Sequence, residues 1–132
     1  MSEFAFPSDL KIVKKASLKI IDQLKDLKLD EITLFKIVLC SEEALINAIK
    51  YGNKNKKEQQ VKVSLAKNLD SIEITVKDEG KGFDYKNLPD PTTDENLTKT
   101  SGRGLFLIKK LMDKVIFYDN GSCIKMIKHI KK

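Results

Sequence analysis

Two runs of strict alternation, Val61–Val63–Leu65 and Ile72–Ile74–Val76, constrain this chain more than anything else in it. Each run puts its apolar side chains on one face of a strand and its polar ones on the other. Only Asn68–Leu69–Asp70 separates them, so they read as a β-hairpin. A half-apolar sheet needs one face covered. Two amphipathic helices are available for this. In the first, Leu10, Val13, Ala16, Ile20, Leu24 and Leu27 recur every three or four residues, and Ser8 or Asp9 is expected to cap it. The second runs from an Asp30 cap to about Tyr51, burying Leu34, Ile37, Val38, Leu45, Ala48 and Ile49, with Gly52 and Asn53 as stop signals.

Weaker signals complete the plan. Glu3 to Phe6 alternates as a short strand, and Val115 to Tyr118 and Cys123 to Ile130 flank Asn120–Gly121, a strong hairpin turn. Gly104 to Met112 reads as a short helix. Leu88 to Thr100 has two prolines and no apolar period, and loops of that length are usually functional or mobile. The sum is an α+β, two-layer sandwich. Its sheet is mainly antiparallel, mixed, and covered on one face by helices.

A length of 132 residues, 41% hydrophobic and 33% charged, is expected to form one domain over 1–132 with a packed core. No apolar run approaches the ~18 residues of a membrane span. The opening MSEFAFPSDLK lacks the basic start of a signal peptide, and Cys40 and Cys123 are far apart with no CxxC. A cytoplasmic protein with two core cysteines is the expectation. The balance of 25 basic to 19 acidic residues is +6, but the single arginine is Arg103 and the lysines are spread along the chain. Arginine is what base and phosphate recognition favours, so no direct nucleic-acid contact is expected. Lys54, Lys56, Lys57 and Lys62 read as solvated surface, and the lone His129 as an exposed strand residue.

Three constellations carry chemistry. Glu43 and Asn47, four apart, share a face of the second helix and interrupt the apolar run EALINAI. They could be a base beside a magnesium ligand. Spacing alone favours a plain helix-surface pair. Asp78-Glu-Gly80-Lys-Gly82 follows at the end of the strand IEITV, where glycines allow a sharp turn and a close approach by a flat ligand; a simple turn reads equally well. Ser101-Gly102-Arg103-Gly104 precedes an apolar helix. Free amides and the dipole at such a start favour phosphate, although it could be an ordinary loop–helix junction and lacks Walker A spacing.

In this order and spacing, the boxes EALINAIKYGN, DEGKGFD and TSGRGLFLIKKLMD, with NGSCIKM as a closing strand, closely resemble the anti-sigma-factor serine/threonine kinases. These belong to the GHKL ATPases, which have the histidine-kinase-like (Bergerat) fold. The resemblance implies a kinase that uses ATP and Mg2+, phosphorylates a STAS-type anti-sigma-factor antagonist and controls a sigma factor by partner switching. It also implies a homodimer without membrane contact. Asp78 falls at the adenine-reading aspartate, with Ser122 near the same edge, and Gly80 and Gly82 would shape that turn. Asn47 falls at the magnesium ligand and Glu43 at the general base. Ser101, Gly102 and Gly104 would wrap the phosphates at the end of a lid, with Arg103 or Lys99 as the cation on the γ-phosphate. Tyr51 departs from the histidine frequent in the family. A nucleotide-gated binding module without kinase activity is the alternative.

Overall fold

A computed structural model describes residues 2–80 and 100–130. Strand β1 (Ser2–Pro7) leads to helix α1 (Ile12–Leu24), a 3-10 turn over Lys25–Leu27 and helix α2 (Glu31–Asn47), whose end widens into a π turn over Ala48–Gly52. The hairpin follows as β2 (Gln60–Lys67) and β3 (Ser71–Lys77). Helix α3 (Thr100–Leu111), β4 (Lys114–Tyr118), a 3-10 turn over Asp119–Gly121 and β5 (Cys123–His129) complete the described chain.

The strands form one sheet in the order β1-β2-β3-β5-β4. Every pairing is antiparallel, so the mixed character expected from the sequence is absent among the described strands. Register places Val63 opposite Val76, Leu65 opposite Ile74, and Ile74 opposite Met126. These side chains, with Val61 and Ile72, are buried under Ile20 and Leu24 of α1, Ile37 and Leu45 of α2, and Ile108 of α3. Each contributes about 1.5–3 kcal/mol by leaving water. The alternate positions Lys62, Ser64, Glu73 and Thr75 are exposed or half-buried, so one sheet face is covered and the other meets solvent.

Three boundaries differ from the sequence expectation, each for a local reason. Helix α1 starts at Ile12 with no side-chain cap. Ser8 is drawn away, its hydroxyl donating to the Gln59 carbonyl at 2.9 Å, while Asp9 accepts the Lys11 amide at 3.0 Å. Helix α2 is α-helical only to Asn47, because the Asn53 amide reaches back to the Ala48 carbonyl at 2.8 Å and closes a wider turn. Helix α3 begins at Thr100, so Ser101, Gly102 and Gly104 lie within its first turns rather than ahead of it. The expected caps and turns otherwise hold: Asp30 accepts the Thr33 amide at 2.7 Å, and Gly121 takes φ 97° in the β4–β5 connection.

Candidate functional site

A cavity of about 170 Å³ lies between the C-terminal half of α2 and the sheet. Helix α2 and its π turn supply Ala44, Asn47, Ala48, Tyr51 and Gly52; β3 and the residue after it supply Val76 and Asp78. Leu105 closes it from α3, Phe117 from β4, and Ser122 and Ile124 from the start of β5. The wall is mostly apolar, with a few polar groups converging on it. That is the usual composition of a small-molecule site.

Asp78 sits one residue past β3 and is 7% exposed. Burial pushes its carboxyl up to about 6, against the partial relief of a hydrogen bond from the Gly80 amide. That amide lies 2.7 Å from Asp78 Oδ1, and the Asp78 amide donates to the Ser122 carbonyl at 2.8 Å. Two glycines make room. A Cβ at Gly52 would overlap the Asp78 carboxylate, and one at Gly80 would overlap the Gly52 carbonyl. The close approach of the π turn to the turn after β3 therefore requires glycine at both positions. Ser122 is buried on the cavity wall. Its hydroxyl donates to the Asp119 carbonyl at 3.0 Å, which leaves oxygen lone pairs available to accept.

Asn47 and Glu43 share a face of α2, as their spacing requires. The N-terminal end of α3 packs against that face: a methyl at Gly104 would lie 2.7 Å from Glu43 Oε2 and 3.4 Å from Asn47 Nδ2. Asn47 Nδ2 is buried and has no hydrogen-bond partner among the described residues. Amide nitrogen and oxygen exchange places by a flip, so either a donor or an oxygen ligand can stand there. An orphaned buried amide costs about 1–3 kcal/mol unless something completes it. A hard cation such as Mg2+, which takes oxygen ligands, would do so. Gly82 and Lys99, and the proline-containing stretch from Leu88, lie outside the described residues. Ser101 and Gly102 are placed in the first turn of α3, as is Arg103.

Residues 6–128 match the histidine kinase-like ATPase domain. The chain belongs to that family. Its similarity to curated relatives is to proteins described as serine-protein kinase RsbW. The relative from Staphylococcus epidermidis is 38% identical over 99 residues, and the one from Listeria monocytogenes serovar 1/2a is 32% identical over 97. Each match takes in 68% of this chain and 62% of the relative, so the chain spans under two thirds of their length. The fold also matches the crystal structure of the RsbU and RsbW domains of Rv1364c from Mycobacterium tuberculosis. There the TM-score is 0.60 at 13% identity, across 99% of this chain and 32% of that one.

Within this ATPase domain the structure brings Asn47, Asp78 and Ser122 to one cavity, with Gly52 and Gly80 packed at Asp78 and with Glu43 and Gly104 at Asn47. It also adds cavity residues whose place the sequence reading did not assign. Phe117 is an aromatic wall of the cavity, as is Tyr51, noted from the sequence only as a departure from the family's histidine, and Leu105 is an apolar contact from α3. Phe117 was legible only as an inward strand position beside Val115. Asn53, read as a helix stop, is 1% exposed and accepts the Glu79 amide at 2.8 Å, beside Asp78. A carboxamide directly after a helix-ending glycine was the available signal. Cys40 and Cys123 are buried and unbridged, as expected. Burial pushes the Cys40 thiol up to about 11. His129 is an exposed strand residue. Among the described residues no helix is long and apolar enough to cross a membrane.

Proposed function

We propose that this domain binds ATP with Mg2+ and is a serine/threonine protein kinase acting on an anti-sigma-factor antagonist of STAS type, with a sigma factor as its second partner. The observation that carries the reading is the buried Asp78 carboxylate on the wall of a ring-sized apolar cavity, with Asn47, whose buried amide nitrogen has no partner among the described residues, on the same wall. Cavities of about 150 Å³ hold a single aromatic ring. A cavity of this size suits the flat base, and leaves the rest of a nucleotide to run past Asn47 toward the start of α3.

The chain's own groups define the chemistry. An ionised Asp78 only accepts hydrogen bonds, so it suits the exocyclic amine of adenine and opposes the carbonyl of guanine. Tyr51 and Phe117 would bound the faces of the base. Asn47 would turn its amide oxygen to a cation, and Mg2+, when bound, supplies charge neutralisation to the triphosphate. The N-terminal end of α3, carrying Ser101, Gly102, Arg103 and Gly104, offers amides and a positive dipole to phosphate oxygens. Lys99 and Arg103 are the proposed cations on the γ-phosphate, and Gly82 completes the turn under the base. Glu43 would hold the proton of an incoming serine or threonine hydroxyl. Homodimerisation, a cytoplasmic setting and a single domain over 1–132 complete the proposal.

Calorimetric titration with ATP and GTP tests the pocket. ATP should bind at least about 100-fold more tightly, because a mismatched buried polar group is costly. Equal affinities would remove the adenine assignment. Glu43→Ala tests the reaction. It should keep ATP affinity and stop transfer of labelled phosphate to the antagonist protein. Wild-type transfer by that variant would refute the base assignment. ATP binding with no transfer even by the unaltered protein would point to a nucleotide-gated binding module.

A further inference from the structure

Asn53 does more than end a helix. Its Oδ1 accepts the Glu79 amide at 2.8 Å, and its Nδ2 donates to Ser8 Oγ at 2.6 Å and to the Gln60 carbonyl at 3.1 Å. Ser8 passes the chain on, its hydroxyl donating to the Gln59 carbonyl at 2.9 Å, and the Gln60 amide donates to the Glu79 carboxylate. The amide has only one workable orientation, since the Glu79 N–H can only donate and the Gln60 carbonyl can only accept. One buried side chain thus joins the end of α2, the start of β2, the β1–α1 junction and the turn after β3.

That turn is fixed through three consecutive amides. The Asp78 amide is tied to Ser122, the Gly80 amide returns to the Asp78 carboxylate, and the Glu79 amide goes to Asn53. The first bond is to the sheet and the second is internal to the turn. Only the third, among the described residues, is a side-chain bond linking the turn to the end of α2. Gly80 gives the turn little stiffness of its own.

We propose that Asn53 is a positioning residue for purine recognition, holding the Asp78–Glu79–Gly80 turn in place so that the Asp78 carboxylate meets the base in one fixed position. The inference rests on Asp78 being the purine reader and adds a residue to that site. A displacement of about 1 Å is enough to cost up to roughly 100-fold where geometry decides recognition.

The full chain, Asn53→Ala and Ser8→Ala should be titrated with ATP and with GTP. In Asn53→Ala the ATP affinity should fall roughly tenfold to a hundredfold with little change for GTP, so that the ATP-to-GTP ratio collapses. A residue that only stabilises the fold would lower both affinities alike; an unchanged ratio overturns the inference. Ser8→Ala retains the bond to Glu79 and should retain the ratio. A collapse there too would show that the Glu79 bond is not what matters. Hydrogen exchange on the unaltered protein covers the case in which Asn53→Ala does not fold. The Glu79 amide should be protected like that of Asp78, and exchange at the rate of an open loop overturns the proposal. If the unaltered protein shows no preference for ATP, the purine reading fails together with this inference. If it prefers ATP and Asn53→Ala does so equally, this inference fails alone.

Discussion

The two ends of α2 are built to opposite rules. At the start, Asp30 has extended backbone, its carboxylate takes the Thr33 amide at 2.7 Å and its carbonyl takes the Leu34 amide at 3.0 Å. The next turns bury Ile37 and Cys40 in apolar surroundings. The cap groups there are satisfied and the inward apolar residues are covered, while Ile32 and Phe35 lie exposed on the outer face. At the far end the helix widens into a π turn, Asn47 keeps a buried amide group without a partner among the described residues, and the turn packs against a buried acid. One end leaves no buried polar side chain without a partner among the described residues. The other breaks three local rules for stability within two turns of helix. Local rules are broken where a ligand is to supply what is missing. The difference marks the far end of α2 as the end that suits the proposed site.

Asp78→Asn should break this comparison most severely, in both directions at once. It replaces an obligate acceptor by a group that can also donate, so ATP affinity should fall by about 10³-fold or more. Unchanged affinity by calorimetry would refute the assignment. The unliganded fold should gain. Because burial lifts the carboxyl from 3.8 to about 6, the native state prefers the protonated acid. That contribution is fully present below about pH 4 and is lost as the pH rises through about 6. The lift corresponds to up to about 3 kcal/mol. The variant should therefore unfold at higher denaturant than the parent at pH 8 and lose that advantage near pH 4. A variant less stable at pH 8 would mean that the buried charge is not a cost to the fold.

The same contrast explains what could be read from the sequence. The hairpin, both long helices, the Asp30 cap and the Asn120–Gly121 turn were legible because each depends on residues near one another in the chain. Ser8 looked like a helix cap by the same logic, yet Gln59, some fifty positions away, holds its hydroxyl. The π turn was invisible because one extra residue in a helical turn leaves the apolar spacing of Leu45, Ala48 and Ile49 intact. Three of the site's polar side chains, Glu43, Asn47 and Asp78, stood out by interrupting or ending apolar runs. Its aromatic walls did not stand out as walls: Tyr51 was noted only as a departure from the family's histidine and Phe117 only as a strand residue, because an aromatic looks the same in sequence whether it faces a core or a cavity. Asn53 was hidden because its partners lie on three different elements.

Gly52→Ala sharpens the comparison sterically, without altering charge. The added methyl would overlap the Asp78 carboxylate, so the π turn and the turn after β3 must move apart. Overpacking of this kind costs about 1–3 kcal/mol. Denaturant unfolding should show that loss, and ATP affinity should drop about tenfold as Asp78 is displaced. Combining it with Asp78→Asn should not restore stability in full, since the carboxamide occupies the same volume. Wild-type stability and affinity in Gly52→Ala would mean that the contact is looser than its geometry indicates.

The smallest effect belongs at the opposite end. Asp30→Ala removes one cap bond from a surface position, and loss of such a cap should lower the melting temperature by about 4 °C in a domain of this size. Its dependence on pH should be the reverse of that at Asp78. The Thr33 amide holds the Asp30 carboxyl below its usual value, so the stabilisation is present above about pH 4 and disappears as the acid is protonated at lower pH. The melting temperatures of parent and variant should therefore converge on acidification. At Asp78 it is the parent's disadvantage that vanishes in acid. Because three turns of α2 at about 1.5 Å per residue separate Asp30 from Ala44, the first α2 residue on the cavity wall, ATP affinity should be unchanged. A fall in ATP affinity in Asp30→Ala would show that the two ends of α2 are coupled, and that stability and recognition are not divided between them.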